Sequence, residues 1–151
     1  KADAVFVDMG YGTCIISAGK QLKRRWTLIP FGGASNSPGY LNKRAEMWGL
    51  MKEWLKNGGS IPDDPVMAAE LTGPEYEIKA TGVYAGKIVL ESKADMKSRG
   101  LSSPNRADCL ALTFAHPVAP RNRYGNAADV IVVGPESTQG TEFALHSYKV
   151  I

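Results

Sequence analysis

Apolar runs and helical periodicities alternate along the first part of the chain. Residues 4–8 form a short apolar run that ends at Asp8 and is followed by Gly10 and Gly12, a pattern typical of a buried strand. Residues 13–22 have a helical pattern, and residues 26–31 are a second apolar run. A strand, a helix and a strand joined by short links predict a βαβ unit whose two strands are parallel neighbours.

The middle of the chain combines a strong helix pattern with a hairpin pattern. Apolar residues recur at helical spacing through residues 41–56. Asp64 followed by Pro65 predicts the cap and first turn of a short helix that ends near Gly73. Residues 76–79 and 87–91 predict two strands of a hairpin, with residues 92–101 as a charged connector.

The last clear helix pattern begins at Ser103, the predicted cap, and runs to about His116. Weaker strand patterns follow at residues 129–133 and 143–151. These elements predict an α/β fold, with residues 1–118 as one domain and residues 119–151 as a tail or extra strands.

Composition and charge narrow the class of protein only slightly. The chain has 151 residues and is 44% hydrophobic, which suits one globular domain. No stretch approaches the roughly 20 apolar residues of a membrane span. The net charge of +3 is weakly compatible with a polyanionic partner. Cys14 and Cys109 lie in apolar segments and are expected to be buried thiols.

Two aspartates stand in unusually apolar surroundings. Asp8 ends the first apolar run, and Asp108 is the only charged residue in residues 107–115. A lone buried carboxylate is costly unless it is paired, hydrogen-bonded or bound to a cation. One possibility is that both carboxylates bind a cation. The alternatives are that Asp8 caps the following helix and that Asp108 pairs with Arg106 or Arg99.

If these two carboxylates meet, they form half of a divalent-metal site. Mg²⁺ prefers hard oxygen ligands, and two ions about 4 Å apart can activate a water and stabilise the leaving oxygen of a phosphodiester. Such sites generally need three or four carboxylates, so two are incomplete. The pattern nevertheless favours a nuclease.

Basic residues cluster around the predicted hairpin and the last helix, and they could follow the phosphates of a nucleic acid. The alternative is an ordinary solvated surface, since acidic residues lie between them. The candidates for DNA contact are Lys93, Lys97, Arg99 and Arg106, with Lys87 nearby.

Four segments resemble the large terminase subunit of tailed bacteriophages. They are NKRAEMW at residues 42–48, LTGPEY at 71–76, LESKADMKSRGL at 90–101 and SPNRADCLALTF at 103–114. The resemblance covers about residues 4–115. Its specificity lies in the combination and order of the segments, because each one alone is weak.

The resemblance implies an RNase H-like nuclease that cuts concatemeric double-stranded DNA during genome packaging. In that family three acidic residues hold Mg²⁺ or Mn²⁺, and by resemblance the second falls on Asp8 and the third on Asp108. It also implies the portal or capsid and the small terminase subunit as partners. The expected location is the cytoplasm of a bacterial host, with no membrane association.

The chain departs from the family at its start, where the strand with the first acidic residue is expected. We therefore expect an RNase H-like mixed sheet flanked by helices, truncated at its N-terminal strands and carrying an added β-hairpin. An exposed sheet edge would invite pairing with a second copy.

Two other functions stay open. The chain could be a catalytically silent DNA- or capsid-binding fragment of the packaging motor. An RNase H-like resolvase or transposase would share the metal chemistry but not the four segments.

Overall fold

The computed structural model describes residues 2–119, so the predicted strands at 129–133 and 143–151 lie outside the described residues. The described part is α/β, and its elements in chain order are β1 Phe6–Asp8, α1 Met9–Gln21, β2 Thr27–Ile29, α2 Lys43–Lys56, α3 Pro65–Thr72, β3 Tyr76–Ile78, β4 Ile88–Leu90, α4 Lys93–Ser98 and α5 Asn105–Leu112.

The predicted βαβ unit is confirmed. Strands β1 and β2 are parallel, with Phe6 opposite Thr27 and Asp8 opposite Ile29. Helix α1 begins at Met9, four residues earlier than predicted, because Asp8 caps it directly at the end of β1. Gly12 therefore lies in the helix, where a β-carbon would clash with the side chain of Val7.

The predicted hairpin is also confirmed, with β3 and β4 antiparallel and Tyr76 opposite Leu90. Its inner strand binds the loop before α2 through hydrogen bonds from Leu41 N to Ile88 O and from Ile88 N to Gly39 O, both 2.8 Å. Within residues 2–119 the strands form two separate two-stranded sheets rather than one mixed sheet. The hairpin is tied to the loop before α2, not to β2.

Helices α2 and α5 pack on each other and hold most of the core. The small side chains of Ala107 and Ala111 on α5 and of Ala115 just beyond it are buried, and they let this segment approach the larger side chains of α2 closely. The core cluster consists of Ile29, Met47, Trp48, Met51, Ala107, Ala111 and Ala115.

The segment 92–101, predicted as a connector, contains helix α4. Ser92 caps it by accepting a hydrogen bond from Asp95 N at 3.1 Å. Met96 is fully buried and fixes the helix to the protein. A Ser followed three residues later by an acid is a helix-start pattern, which the surrounding charges made less visible.

The predicted cap of α5 is wrong. The helix begins at Asn105, and Ser103 does not cap it. Instead Glu70, near the end of α3, accepts hydrogen bonds from Arg106 N at 2.6 Å and Ala107 N at 3.0 Å. A carboxylate from another helix thus binds the amides that a local cap would otherwise satisfy. The helix ends at Leu112, before the predicted His116, because its last bonds tighten into turns.

The predicted burial of the two cysteines is also wrong, since both Cys14 and Cys109 are exposed. Each cysteine lies outside the buried face of its helix. The buried face carries Gly12 and Gly19 on α1, and Ala107 and Ala111 on α5. Among residues 2–119 no helix is both long and apolar enough to cross a membrane.

Candidate functional site

Asp108 lies in the interior, as its apolar surroundings predicted. The residue is 5% exposed and shares the buried face of α5 with Ala107 and Ala111. Its position in the first turn follows from the way Glu70 fixes the start of the helix. A carboxylate this deeply buried needs compensation from nearby donors or cations.

Three side chains supply that compensation. Arg44 Nε lies 3.2 Å and Trp48 Nε1 lies 2.9 Å from Asp108 Oδ1, and both come from α2. Lys93 Nζ, at the start of α4, lies 2.8 Å from Oδ2. The alternative of an ion pair at Asp108 is therefore confirmed, but the partners are Arg44 and Lys93 instead of the expected Arg106 or Arg99.

Arg44 is itself firmly held. Its Nη1 donates to the carbonyl oxygen of Glu91 at 2.8 Å, and its guanidinium carbon lies 5.8 Å from the centroid of the Trp48 ring. Its backbone nitrogen donates to Phe31 O at 2.9 Å, just beyond β2. Through its backbone and side chain, Arg44 thus connects the segment after β2, the segment after the hairpin and the helix that carries Asp108.

Lys93 is bound more loosely. Its side chain is 42% exposed, and its ammonium group meets Asp108 Oδ2 at ion-pair distance without hydrogen-bond geometry. The atom Oδ2 is buried and lacks a hydrogen bond within the described part of the chain. The two oxygens of one carboxylate therefore have different surroundings.

Asp8 occupies the end of β1 and caps α1. Its Oδ1 accepts a hydrogen bond from Gly10 N at 3.0 Å, so the alternative of a helix cap is confirmed. Helix α5 packs against β1, and the ring of His116, beyond the end of α5, lies 5.7 Å from the ring of Phe6 on β1. The two elements that carry Asp8 and Asp108 are therefore in contact.

The described residues do not by themselves fit a metal ion. Across residues 2–119, no group of three or more histidine, cysteine, aspartate or glutamate side chains could hold one. Both oxygens of Asp108 already face protein cations or donors. The Mg²⁺ or Mn²⁺ implied by the family resemblance would need further ligands and a change at Asp108.

Two of the four candidate DNA-binding residues are held in exposed ion pairs. Arg99 binds Glu91 through Nε at 2.8 Å and Nη2 at 2.7 Å, and it reaches Glu75 through Nη1 at 2.8 Å. This hydrogen bonding from Arg99 lowers the pKa of Glu91. Arg106 pairs with Asp64, whose pKa is lowered chiefly by a hydrogen bond from the amide of Met67.

The remaining two candidates both lie on α4. Lys93 is half exposed and pairs with Asp108, as described above. Lys97 is exposed near the end of the same helix. One helical turn thus separates a lysine that meets a buried carboxylate from one on the protein surface.

A second buried charge cluster was not recognised in the sequence. Glu46 accepts hydrogen bonds from Lys43 Nζ at 2.8 Å, Asn36 N at 2.7 Å and Ser35 Oγ at 2.9 Å. Burial alone would raise the pKa of Glu46, but these hydrogen bonds lower it below its usual value. The spacing of three residues between Lys43 and Glu46 on a helix is the signal that could have indicated the pair.

His116 lies beside this cluster and lines a small cavity with Lys43 and Asn36. Burial lowers the pKa of His116, and the positive charge of Lys43 lowers it further. The cluster fixes the loop between β2 and α2 to the first turn of α2, the turn from which Arg44 reaches Asp108.

The chain has the fold of the nuclease domain of a phage large terminase subunit. The matching structure is the nuclease domain of the large terminase subunit gp2 of bacterial virus Sf6, with a TM-score of 0.52 and 22% sequence identity. The match covers 78% of this chain and 66% of that domain. No protein-family model and no curated protein matches the sequence. The expected likeness to a terminase nuclease is thus confirmed in the fold.

Proposed function

We propose that the chain belongs to a metal-dependent endonuclease of RNase H-like fold. It would cut concatemeric double-stranded DNA during packaging of a phage genome. The proposal rests on the fold shared with a terminase nuclease domain, and it concerns the intact nuclease, because the match spans 66% of that domain.

Asp8 and Asp108 are the proposed metal-binding carboxylates, with Mg²⁺ or Mn²⁺ as the ion. The packing of α5 against the strand that ends in Asp8 supports this assignment. Asp108 is also buried on that helix, where a carboxylate is rarely found unless it is paired. Further ligands must complete the site, since two carboxylates are too few.

The proposed DNA contacts are Lys93, Lys97, Arg99 and Arg106. Lys97 is exposed, and the other three are engaged with carboxylates. The proposed protein partners are the portal or capsid and the small terminase subunit. All three residues of β3 are exposed, and this strand offers a sheet edge for pairing with a second copy.

The second candidate is a catalytically silent DNA- or capsid-binding module of the same motor. The compensation of Asp108 by Arg44 and Lys93 favours it, because a carboxylate paired in this way does not require a metal. Under this alternative Asp108 is a structural residue of the core.

A plasmid-nicking assay in Mn²⁺ distinguishes the two candidates. We expect the intact nuclease that contains this chain to convert supercoiled plasmid to nicked or linear DNA, and we expect Asp8→Asn and Asp108→Asn each to abolish this activity. Asp63→Asn is the matched control, because Asp63 is an exposed acid in the loop before α3.

Circular dichroism of each variant shows whether it folds. Cutting that survives both substitutions at Asp8 and Asp108 rejects the proposed carboxylates. DNA binding without cutting by the folded, intact wild-type protein supports the silent module.

A further inference from the structure

A dense cluster of positive charge lies where α1 ends and the chain turns toward β2. Four of the six residues at positions 20–25, here called the basic corner, are lysine or arginine. No acidic residue occurs in residues 9–45, so the cluster has no counter-charge close in sequence. These four charges exceed the net charge of +3 of the whole chain, which means that the rest of the chain is slightly acidic.

The charges of the basic corner are accessible. All six of its residues are exposed. Within residues 2–119, no ion pair involves Lys20, Lys23 or Arg24. Three of the four DNA contacts proposed above are instead engaged with carboxylates. The basic corner therefore keeps its charge available for a polyanion.

The backbone of the basic corner is strained at a lysine. Lys23 has a φ of 53°, whereas every other positive φ among the described residues belongs to a glycine. The amide of Lys23 donates to Lys20 O at 3.0 Å and that of Arg24 to Gly19 O at 2.8 Å, the pattern of a helix end that usually carries glycine. A side chain in this conformation costs free energy that glycine does not. Folding stability thus does not explain the lysine, and local strain of this kind is typical of functional positions.

The helix dipole does not explain the cluster either. The dipole favours cations in the last turn of a helix, and only Lys20 lies in the last turn of α1. The turn that follows is fixed against the helix, because the ring of Trp26 packs on Gly19, where a β-carbon would clash with it. The basic side chains are therefore presented by a fixed turn.

The basic corner lies at the opposite end of the βαβ unit from Asp8. Helix α1 begins directly after Asp8 and has 13 residues, so it is about 20 Å long. Strand β2 begins at Thr27, just after the basic corner. A length of about 20 Å corresponds to roughly six base pairs along a DNA duplex. The basic corner is thus a surface separate from the end of the sheet that carries Asp8.

We propose that the basic corner is a second DNA-binding surface, which holds the phosphate backbone of a duplex about 20 Å from Asp8. This inference rests on the proposed function, which supplies double-stranded DNA as the polyanion. Contacts with phosphates fix the position of a duplex without reading its bases. The basic corner then retains the duplex on the protein whatever sequence lies at the cutting site.

The salt dependence of DNA binding tests this surface. Fluorescence anisotropy of a labelled duplex, measured with the intact protein in EDTA, gives the slope of log affinity against log salt concentration. Lys20→Gln/Lys23→Gln should reduce the magnitude of this slope by about 2, because each phosphate contact contributes about 0.9.

Lys52→Gln/Lys56→Gln is the matched control. It removes the same two charges from the last part of another helix, α2. Both control lysines are engaged within the chain, Lys52 over the ring of Tyr76 and Lys56 with Glu53. We expect this variant to keep the wild-type slope.

Lys23→Gly separates binding from folding. Glycine relieves the left-handed conformation at this position, so the midpoint of thermal unfolding should rise. The slope of DNA binding should nevertheless fall by about 1, because one phosphate contact is lost. A lysine with only a structural role would leave the slope unchanged. This variant also replaces the double variant if that variant does not fold.

The outcomes separate this inference from the proposed function. Equal losses on duplexes of two unrelated sequences support contact with the backbone. An unchanged slope in Lys20→Gln/Lys23→Gln, whether or not affinity falls, overturns the inference, and so does absence of duplex binding by the intact wild type. Binding is measured in EDTA, whereas the proposed function is tested by metal-dependent cutting of plasmid, so either result can fail without the other.

Discussion

The β1–α1 junction and the α2–α5 junction each hold one of the two proposed metal-binding carboxylates, in contrasting ways. At the first, Asp8 accepts a single backbone hydrogen bond at a helix start. At the second, Asp108 is buried and contacts Arg44, Trp48 and Lys93. The first carboxylate has a local structural role, whereas the second connects three segments that are distant in sequence.

This difference determines how a loss of activity should be interpreted. A substitution at Asp8 can remove a ligand with little effect on the fold, because asparagine also caps helices. A substitution at Asp108 changes both the site and the core. Variants at the α2–α5 junction must therefore be tested for stability as well as for activity. Variants at the β1–α1 junction provide the reference for this comparison.

The largest expected effect is at Arg44. Arg44→Met should lower the free energy of unfolding by about 3–5 kcal/mol, because it leaves Asp108 buried with only the half-exposed Lys93 as counter-ion. Urea unfolding of this variant and of the exposed-site control Arg24→Met measures the difference. A loss for Arg44→Met no greater than that of the control would mean that the ion pair does not stabilise the junction.

A smaller effect is expected at Trp48. Trp48→Phe keeps an aromatic ring in the core but removes the hydrogen bond to Asp108, which should cost about 2 kcal/mol because the acceptor is charged. Trp54→Phe makes the same change on the same helix, at a ring that packs on Phe114. Equal unfolding midpoints for the two variants would show that the indole hydrogen bond contributes nothing measurable.

The smallest effect is expected at the other junction. Asp8→Ala should cost about 1 kcal/mol, the usual loss for an N-cap, and Asp8→Asn should cost only a few tenths. Thermal and urea unfolding of both variants test this order. If Asp8→Asn destabilises the protein as much as Arg44→Met does, the proposed contrast between the junctions is incorrect.

Local signals explain most of the fold that the sequence predicted. The βαβ unit follows from two apolar runs, the hairpin from strand patterns on either side of a glycine-containing loop, and α3 from Asp64 followed by Pro65. Each signal lies within a few residues of the element that it specifies. Helix α4 was missed because a single buried side chain, Met96, fixes a segment that otherwise reads as charged surface.

The site was predicted only in part, because its partners come from distant segments. The apolar neighbours of Asp108 indicated burial, and the structure confirms it. Its main counter-ion, Arg44, lies 64 residues earlier, and no periodicity connects the two positions. A single sequence indicates that a buried charge needs compensation, but it does not identify which distant residue provides it.

Glu70 accepts a hydrogen bond from the backbone at the start of helix α5, although it lies 36 residues earlier in the sequence than its partner Arg106. This long-range contact has a consequence for the order of folding. No neighbouring side chain caps that helix, so its first turn is completed only when α3 docks beside it. Because contacts between distant residues form slowly, the segment that carries Asp108 should become ordered late in folding. The buried ion pairs of Asp108 would then assemble only after the surrounding scaffold is in place.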